Sequence, residues 1–345
     1  MKKVKSESQK ELTYLPYLDG WRGIAIIMVL LGHFTNLGAT YELGRFGVSV
    51  FFVLSGFLMS RILFIKKVPL SIFYRRRFAR ILPAFLLYVF VVFLGGWLFL
   101  NEFHQDEFFS TVFFLRTYFP DSSIFKSYIP IGHLWSLNVE EHCYIILSLV
   151  SLLAIRFSEL MARITLTICS ILCVIFFIFY QYNPPAIYQS LAFSRTEVAA
   201  FPLLLSCSIF LWLNKFPIKI PSIVPVITLM GALSLAPSAT LTTSLFSYIT
   251  ISALLAISVN TLNFAPKWII TILSNTVLRW FGICSYSIYL WQQIFYLANR
   301  YTKDWIFYDR NYYFIVGIFA SILVGSFSFY FFEQPVRKWL SGKKS

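Results

Sequence analysis

Leu18-Asp19-Gly20-Trp21-Arg22-Gly23-Ile24-Ala25-Ile26-Ile27-Met28-Val29-Leu30-Leu31-Gly32-His33 is an apolar run with an arginine at its start and a histidine deep inside it. Read as one helix, the eleven-residue step from Arg22 to His33 makes about three full turns plus roughly 20°. Both side chains then share one stripe, about 16 Å apart along the axis. That stripe leads from one membrane face towards its middle. An imidazole at such depth is costly, and ionisable residues kept there face a bundle interior and mark a pathway or a reaction site. Two readings of the stretch stand side by side: a reaction centre, or a histidine satisfied by a hydrogen bond within a bundle.

The rest of the chain makes the membrane setting plain. It has 345 residues, 58% of them apolar and 13% charged, with a mean hydropathy of +0.71, far outside the range of a soluble globular domain. The polar, lysine-rich start is followed by a full-length apolar run without a small-residue cleavage pattern, which predicts a retained helix and not a signal peptide. A net charge of +14 in so apolar a chain belongs first to loops on the cytoplasmic side, which argues against nucleic acid. Cys143, Cys169, Cys173, Cys207 and Cys284 all fall in apolar runs with no Cys-x-x-Cys pair. They read as core packing, and no metal is expected.

Apolar windows long enough to cross a bilayer begin near Gly23, Gly47, Ile81, Leu134, Ile164, Val198, Ile223, Leu241, Val277 and Tyr312. The expected fold is an all-α polytopic membrane helix bundle of about ten transmembrane helices. Phe108 to Phe119 is apolar but too short to span, and reads as interfacial or re-entrant. Placing the N-terminus in the cytoplasm puts 21 of the 29 basic residues inside, which predicts that both termini are cytoplasmic. Residues 1–345 read as a single membrane-embedded domain, with a polar N-terminus at 1–16, a basic C-terminus at 337–345 and no fused extracytoplasmic domain.

Three further stretches carry chemistry. Tyr74-Arg75-Arg76-Arg77-Phe78-Ala79-Arg80-Ile81-Leu82-Pro83, between the second and third windows, packs four arginines beside aromatic residues. It is either an orientation signal drawn to anionic lipid or a phosphate clamp built from planar guanidinium forks. Gly132-His133-Leu134-Trp135-Ser136-Leu137-Asn138-Val139-Glu140-Glu141-His142 brings six polar or ionisable groups into a span. On a helix His133 and Glu140 share a face and Glu141 turns away, which gives either a base with its orienting carboxylate or an ion-pair network between helices. Trp280-Phe281-Gly282-Ile283-Cys284-Ser285-Tyr286-Ser287-Ile288-Tyr289-Leu290-Trp291-Gln292-Gln293 offers the rings, hydroxyls and amides that suit a sugar, although an aromatic belt accounts for some of them. Walker loops, nucleophile elbows and His-Glu-x-x-His are missing from the sequence, so nucleotide-driven pumping and the common hydrolase classes find no support.

Taken together these stretches resemble the acyltransferase 3 family of integral membrane proteins, which typically O-acylate bacterial surface carbohydrates with cytoplasmic acyl-CoA. The likeness runs through Leu18-Asp19-Gly20-Trp21-Arg22-Gly23 with the Arg22 to His33 spacing, Gly47-Val48-Ser49-Val50-Phe51-Phe52-Val53-Leu54-Ser55-Gly56-Phe57 and the arginine-rich segment. It continues through His133-Leu134-Trp135-Ser136-Leu137 with Val139-Glu140-Glu141, Ser285-Tyr286-Ser287-Ile288-Tyr289-Leu290-Trp291 and Phe332-Glu333-Gln334-Pro335-Val336-Arg337. Six motifs in order cover nearly the whole chain. The resemblance implies that His33 is the catalytic base, that Arg22 helps to hold the site, that Glu140 is also needed, and that Arg77 and Arg80 serve the donor. Three positions depart from the family pattern: Ser49 where many members carry an acid, Gln292 where many carry histidine, and His142 where glutamine is usual.

The expected function is transfer of an acyl group, acetyl above all, from cytoplasmic acyl-CoA to a hydroxyl of an extracytoplasmic or lipid-linked surface carbohydrate such as lipopolysaccharide, in the bacterial cytoplasmic (inner) membrane. The expected catalytic residues are His33, Glu140 and Arg22. Arg77, Arg80 and Arg76 are expected at the donor, and His133, Trp135, Ser136, Glu141, Tyr286, Tyr289, Trp291 and Gln292 at the acceptor. The rival is a transporter or exporter of a polar molecule or glycan, in which buried His, Glu and Arg along one pore serve no acyl transfer.

Overall fold

A computed structural model of the chain describes residues 14–35, 42–101, 103–119, 129–183, 193–216, 218–236, 244–301 and 310–340. Every regular element among them is helical: α1 (Pro16–Phe34), α2 (Leu43–Ile65), α3 (Leu70–Leu100), α4 (Gln105–Val112), α5 (Trp135–Arg156), α6 (Glu159–Tyr182), α7 (Thr196–Lys215), α8 (Val224–Leu235), α9 (Leu245–Thr261), α10 (Lys267–Leu273), α11 (Thr276–Tyr301), α12 (Arg310–Ser328) and α13 (Gln334–Leu340). Among the described residues seven helices are long and apolar enough to cross a membrane, and α10 with α11, bent by 53° at their junction, reach that length and apolarity only when taken as one span. α1, its apolarity diluted by Asp19, Arg22 and His33, and the 12-residue α8 occupy two further expected windows. The expected start at Leu241 lies outside the described residues, as do the segments at 1–13 and 341–345.

The helices sort by what surrounds them. α6 turns Ile168, Ile171, Leu172 and Ile175 outwards, as a helix against lipid does. α1 has Trp21, Ala25, Ile26 and Val29 buried on successive sides and packs between α2 and α11. Its glycines make that possible. A Cβ on Gly20 would sit 1.7 Å from the Leu273 carbonyl oxygen, and one on Gly282 of α11 would sit 1.8 Å from that of Asp19. Backbone therefore lies directly on backbone, which brings the polar side chains of α1 into reach of its neighbours.

Two elements differ from expectation in ways that matter to the site. The arginine segment is not a loop before a helix starting near Ile81 but the opening turns of α3, which continues through Pro83. Membrane helices accommodate such a proline because neighbouring groups satisfy the freed carbonyl. His133 lies on a 3-10 turn (Gly132–Leu134), and the α-helix starts only at Trp135. The seven-residue step to Glu140 therefore does not run along one continuous α-helical face. The short apolar segment after Phe108 lies in α4 and the turns that follow, anchored by a buried ion pair of 2.8 Å between Arg116 and Glu107; it does not span.

Candidate active site

Three residues are nearly one helical turn, so Arg77 and Arg80 share a face of α3 while Arg75 and Arg76 point outwards and are exposed. The inward pair meets Arg22 of α1 and Glu140 of α5 in an open cleft of about 810 Å³, whose walls also carry Ser55, Ser136, Tyr286 and Tyr289. Glu140 is the hub of this cleft. It accepts hydrogen bonds from Ser55 Oγ at 2.7 Å, from Arg77 Nη2 at 3.5 Å and from the Tyr144 hydroxyl. The Arg77 guanidinium also stacks 3.6 Å from the Tyr144 ring centroid, a cation–π contact that locks its plane. Glu333, buried and held by Ser287 Oγ at 2.6 Å, is felt by Arg80, Arg337 and Arg22 together. Three cations around one buried carboxylate favour an incoming anion.

His33 stands apart from that cleft. Its Nδ1 lies 2.8 Å from Gln292 Oε1, and the Gln292 amide nitrogen donates onward to Gln293 Oε1 at 3.3 Å. An amide oxygen can only accept, so the ring proton sits on Nδ1 and Nε2 keeps its lone pair. The Tyr296 ring stacks on the imidazole at 4.9 Å between centroids. Nε2 faces Gly44 at the start of α2, where a Cβ would come within 3.4 Å. One nitrogen is pinned, and the other has no hydrogen-bond partner among the described residues and so can accept a proton, as a general base requires.

His133 lies between the two stations. Its ring meets Tyr88 edge-on at 5.5 Å and Tyr289 at 5.2 Å, and it feels the charge state of His33. Tyr289, from the cleft wall, donates to the His133 carbonyl at 2.8 Å, with Ser136 Oγ 2.6 Å from the phenol oxygen. Tyr289 and Ser136 thus tie the cleft wall to the segment that carries His133.

The acyltransferase 3 profile, described as an acyltransferase domain, matches residues 15–330. The chain belongs to the acyltransferase 3 family. Among curated relatives it is 28% identical over 98% of its length to a peptidoglycan O-acetyltransferase OatA of Listeria monocytogenes serovar 1/2a. It is likewise 28% identical over 94% of its length to an O-acetyltransferase OatA of Staphylococcus aureus. The chain spans 58% and 57% of those two proteins. No solved structure matches it. An acyltransferase 3 protein with seven membrane-length helices among its described residues is an integral membrane protein.

Within this acyltransferase 3 chain the structure gathers Arg22, Arg77, Arg80, Glu140, Ser136, Tyr286 and Tyr289 around one cleft. His33 and Gln292 form the second station. Glu140 is not the orienting partner of His33, because its bonds go to Ser55, Tyr144 and Arg77 while Gln292 holds the imidazole. Nor do His133 and Glu140 form a base and carboxylate pair: neither His133 ring nitrogen makes a hydrogen bond of ordinary geometry. Arg76 is exposed, outside the cleft, and Glu141 acts on Arg77 through space. Trp135 meets Phe52 edge-on at 6.1 Å, and Trp291 meets Tyr88 edge-on at 5.5 Å. His142 joins a different cluster, bonded through Nδ1 to Thr196 Oγ1 at 2.6 Å and beside Tyr118. Ser49 hydrogen-bonds back to the Arg45 carbonyl at 3.1 Å.

Ser55, Tyr144 and Tyr296 escaped the sequence reading. The last two carry a usable signal, since Tyr144 follows Glu140 by four residues and Tyr296 follows Gln292 by four, the spacing at which helix side chains meet.

Proposed function

We propose that this chain is a membrane O-acyltransferase that moves an acyl group, acetyl by the names of its relatives, from acyl-CoA to a hydroxyl of an extracytoplasmic or lipid-linked surface glycan. Peptidoglycan is the class of acceptor to which the Listeria relative points. The observation that carries this reading is the separation of two chemistries along α1, with fork-shaped cations grouped around Arg22 and an imidazole of fixed tautomer at His33. CoA carries several phosphates, which planar guanidiniums match in pairs; Arg77, Arg80 and Arg22 are the residues to hold it. It supplies an acyl carbon activated as a thioester.

His33 supplies the base. Nε2 takes the proton of the acceptor hydroxyl, the oxygen adds to the acyl carbon, the C–S bond breaks, and the proton on Nε2 passes to the sulfur. Gln292 keeps Nε2 turned to the hydroxyl throughout. Glu140 is a positioning residue that fixes the plane of Arg77 through Tyr144. The excess of basic residues on one side supports an orientation with the arginine end in the cytoplasm and the chain in the bacterial inner membrane.

Purified protein in nanodiscs, given acetyl-CoA and a soluble glycan fragment, should release CoA in proportion to ester formed on the sugar, and only when both are present. Oligosaccharide uptake into vesicles without CoA release would overturn the reading in favour of a transporter.

A further inference from the structure

A second, smaller cavity adjoins the arginine cleft, and Val48 and Phe52 of α2 line both. Phe52 packs edge-on against Trp135, which lines the second cavity. The second cavity mixes the rings of Trp135, Phe177 and Tyr248 with the polar groups of Arg45, Ser49 and Ser252. Ring faces take the C–H faces of a sugar and hydroxyls take its hydroxyls, so the lining has the composition of a saccharide subsite.

Arg45 is the group that needs explaining. It sits just inside the start of α2, half-buried, with its guanidinium carbon 5.4 Å from the Trp135 ring centroid. Glu42 and Tyr289 act on it through space, but among the described residues its guanidinium has no hydrogen-bond or ion-pair partner. Glu42 balances part of its charge from a distance, and the donors of a planar fork on a cavity wall stay open to an incoming anion. Its place also matters. Gly44, the preceding residue, is the one that His33 Nε2 faces, so one end of α2 carries both the approach to the base and the free cation.

We propose that this cavity seats the glycan acceptor and that Arg45 anchors an anionic group on it, a carboxylate or a phosphate, so that a hydroxyl is presented to His33. The delivery of that hydroxyl rests on the transferase reading above; the anchor is a binding property that exists without turnover. Acceptor and donor then occupy neighbouring chambers, and Arg45 selects for charge on the sugar while Arg77 and Arg80 select for phosphate on the donor.

The test is equilibrium binding to the full chain in nanodiscs without acyl donor, using three oligosaccharides of equal length: one neutral, one bearing a uronate carboxylate and one a glycosyl phosphate. Wild-type protein should bind at least one anionic probe about tenfold more tightly than the neutral probe, the scale of one charge-assisted fork. Arg45→Gln should bind all three alike. Arg45→Lys, which keeps the charge without the fork, should fall between, and it decides the question if Arg45→Gln is not recovered folded. Equal affinity of the wild type for the three probes, or an anion preference that survives undiminished in the variants, overturns the anchor. So does glycerol phosphate competing as well as the glycosyl phosphate, which would mark a lipid-headgroup site. Charge-selective binding without any CoA release would strike the transferase reading and leave the anchor standing; ester formation with no charge preference would do the reverse.

Discussion

The arginine cleft and the His33 station use opposite means to hold a polar group in an apolar bundle. In the cleft, charges are braced by charges and rings: Glu140 gathers Ser55, Tyr144 and Arg77, and Glu333 answers Arg22, Arg80 and Arg337. At His33 no carboxylate takes part in the hydrogen bonding, and a neutral amide and a stacked phenol hold the ring. The difference fits the work proposed for each. A site for a polyanion needs net positive charge fixed in space, whereas a base needs its tautomer and ring plane fixed, which a neutral amide and a stacked ring supply.

Replacing His33 should separate the two regions most sharply. His33→Gln keeps the size and a hydrogen-bonding group but cannot take a proton, so turnover should fall about a hundredfold or more while donor affinity holds, measured by CoA release and by acetyl-CoA titration of the same preparation. A variant that turned over near the wild-type rate would move suspicion to His133. The mirror experiment is the double substitution Arg77→Lys with Arg80→Lys. Loss of two forks at constant charge should raise the KM for acetyl-CoA about tenfold and leave kcat at saturating donor close to wild type; a fall in kcat with unchanged KM would show that the cleft does more than bind.

Gln292→Leu should have a smaller effect, a loss of about fivefold in kcat with donor KM unaffected, because the imidazole keeps its stack on Tyr296 but loses the acceptor that fixes its tautomer. The last comparison lies within one helix. Arg75→Gln with Arg76→Gln, on the outer face of α3, should change donor KM by less than about twofold, and topology mapped by cysteine labelling would report whether those two charges serve orientation instead.

The helical character of the opening stretch and most of the spans were legible because the rules that apply to them are local, whereas the arginine segment reads as a loop and is helix. Apolar length marks a span, and the spacing of Arg77 and Arg80 marks a shared face once the segment is known to be helical. What the sequence could not convey is which helix meets which. Nothing near Gln292 says that its amide lies against His33, 259 positions away, and nothing near Glu140 says that Ser55 is its partner rather than a histidine. The glycines hold part of the missing information. Gly20, Gly23 and Gly282 are small because another backbone lies on them, but a sequence records only that the side chain is absent, not what took its place. Arg45 was passed over for a related reason: within Gly44-Arg45-Phe46-Gly47 it looks like a charge at a helix end, and only the fold places a cavity beside it.

The edge-on pair of Phe52 and Trp135 has a consequence for the cell as a whole. In the proposed orientation, two water-reaching hollows lined with cations approach each other from opposite faces of an energised membrane. Were they joined, protons and small ions would run down their gradient through the enzyme at every turnover. Two aromatic rings at right angles supply the apolar surface from which ion-stopping constrictions are built. A Phe52→Ala variant should then show a proton leak into sealed proteoliposomes, beside any change it causes in the two hollows that Phe52 lines.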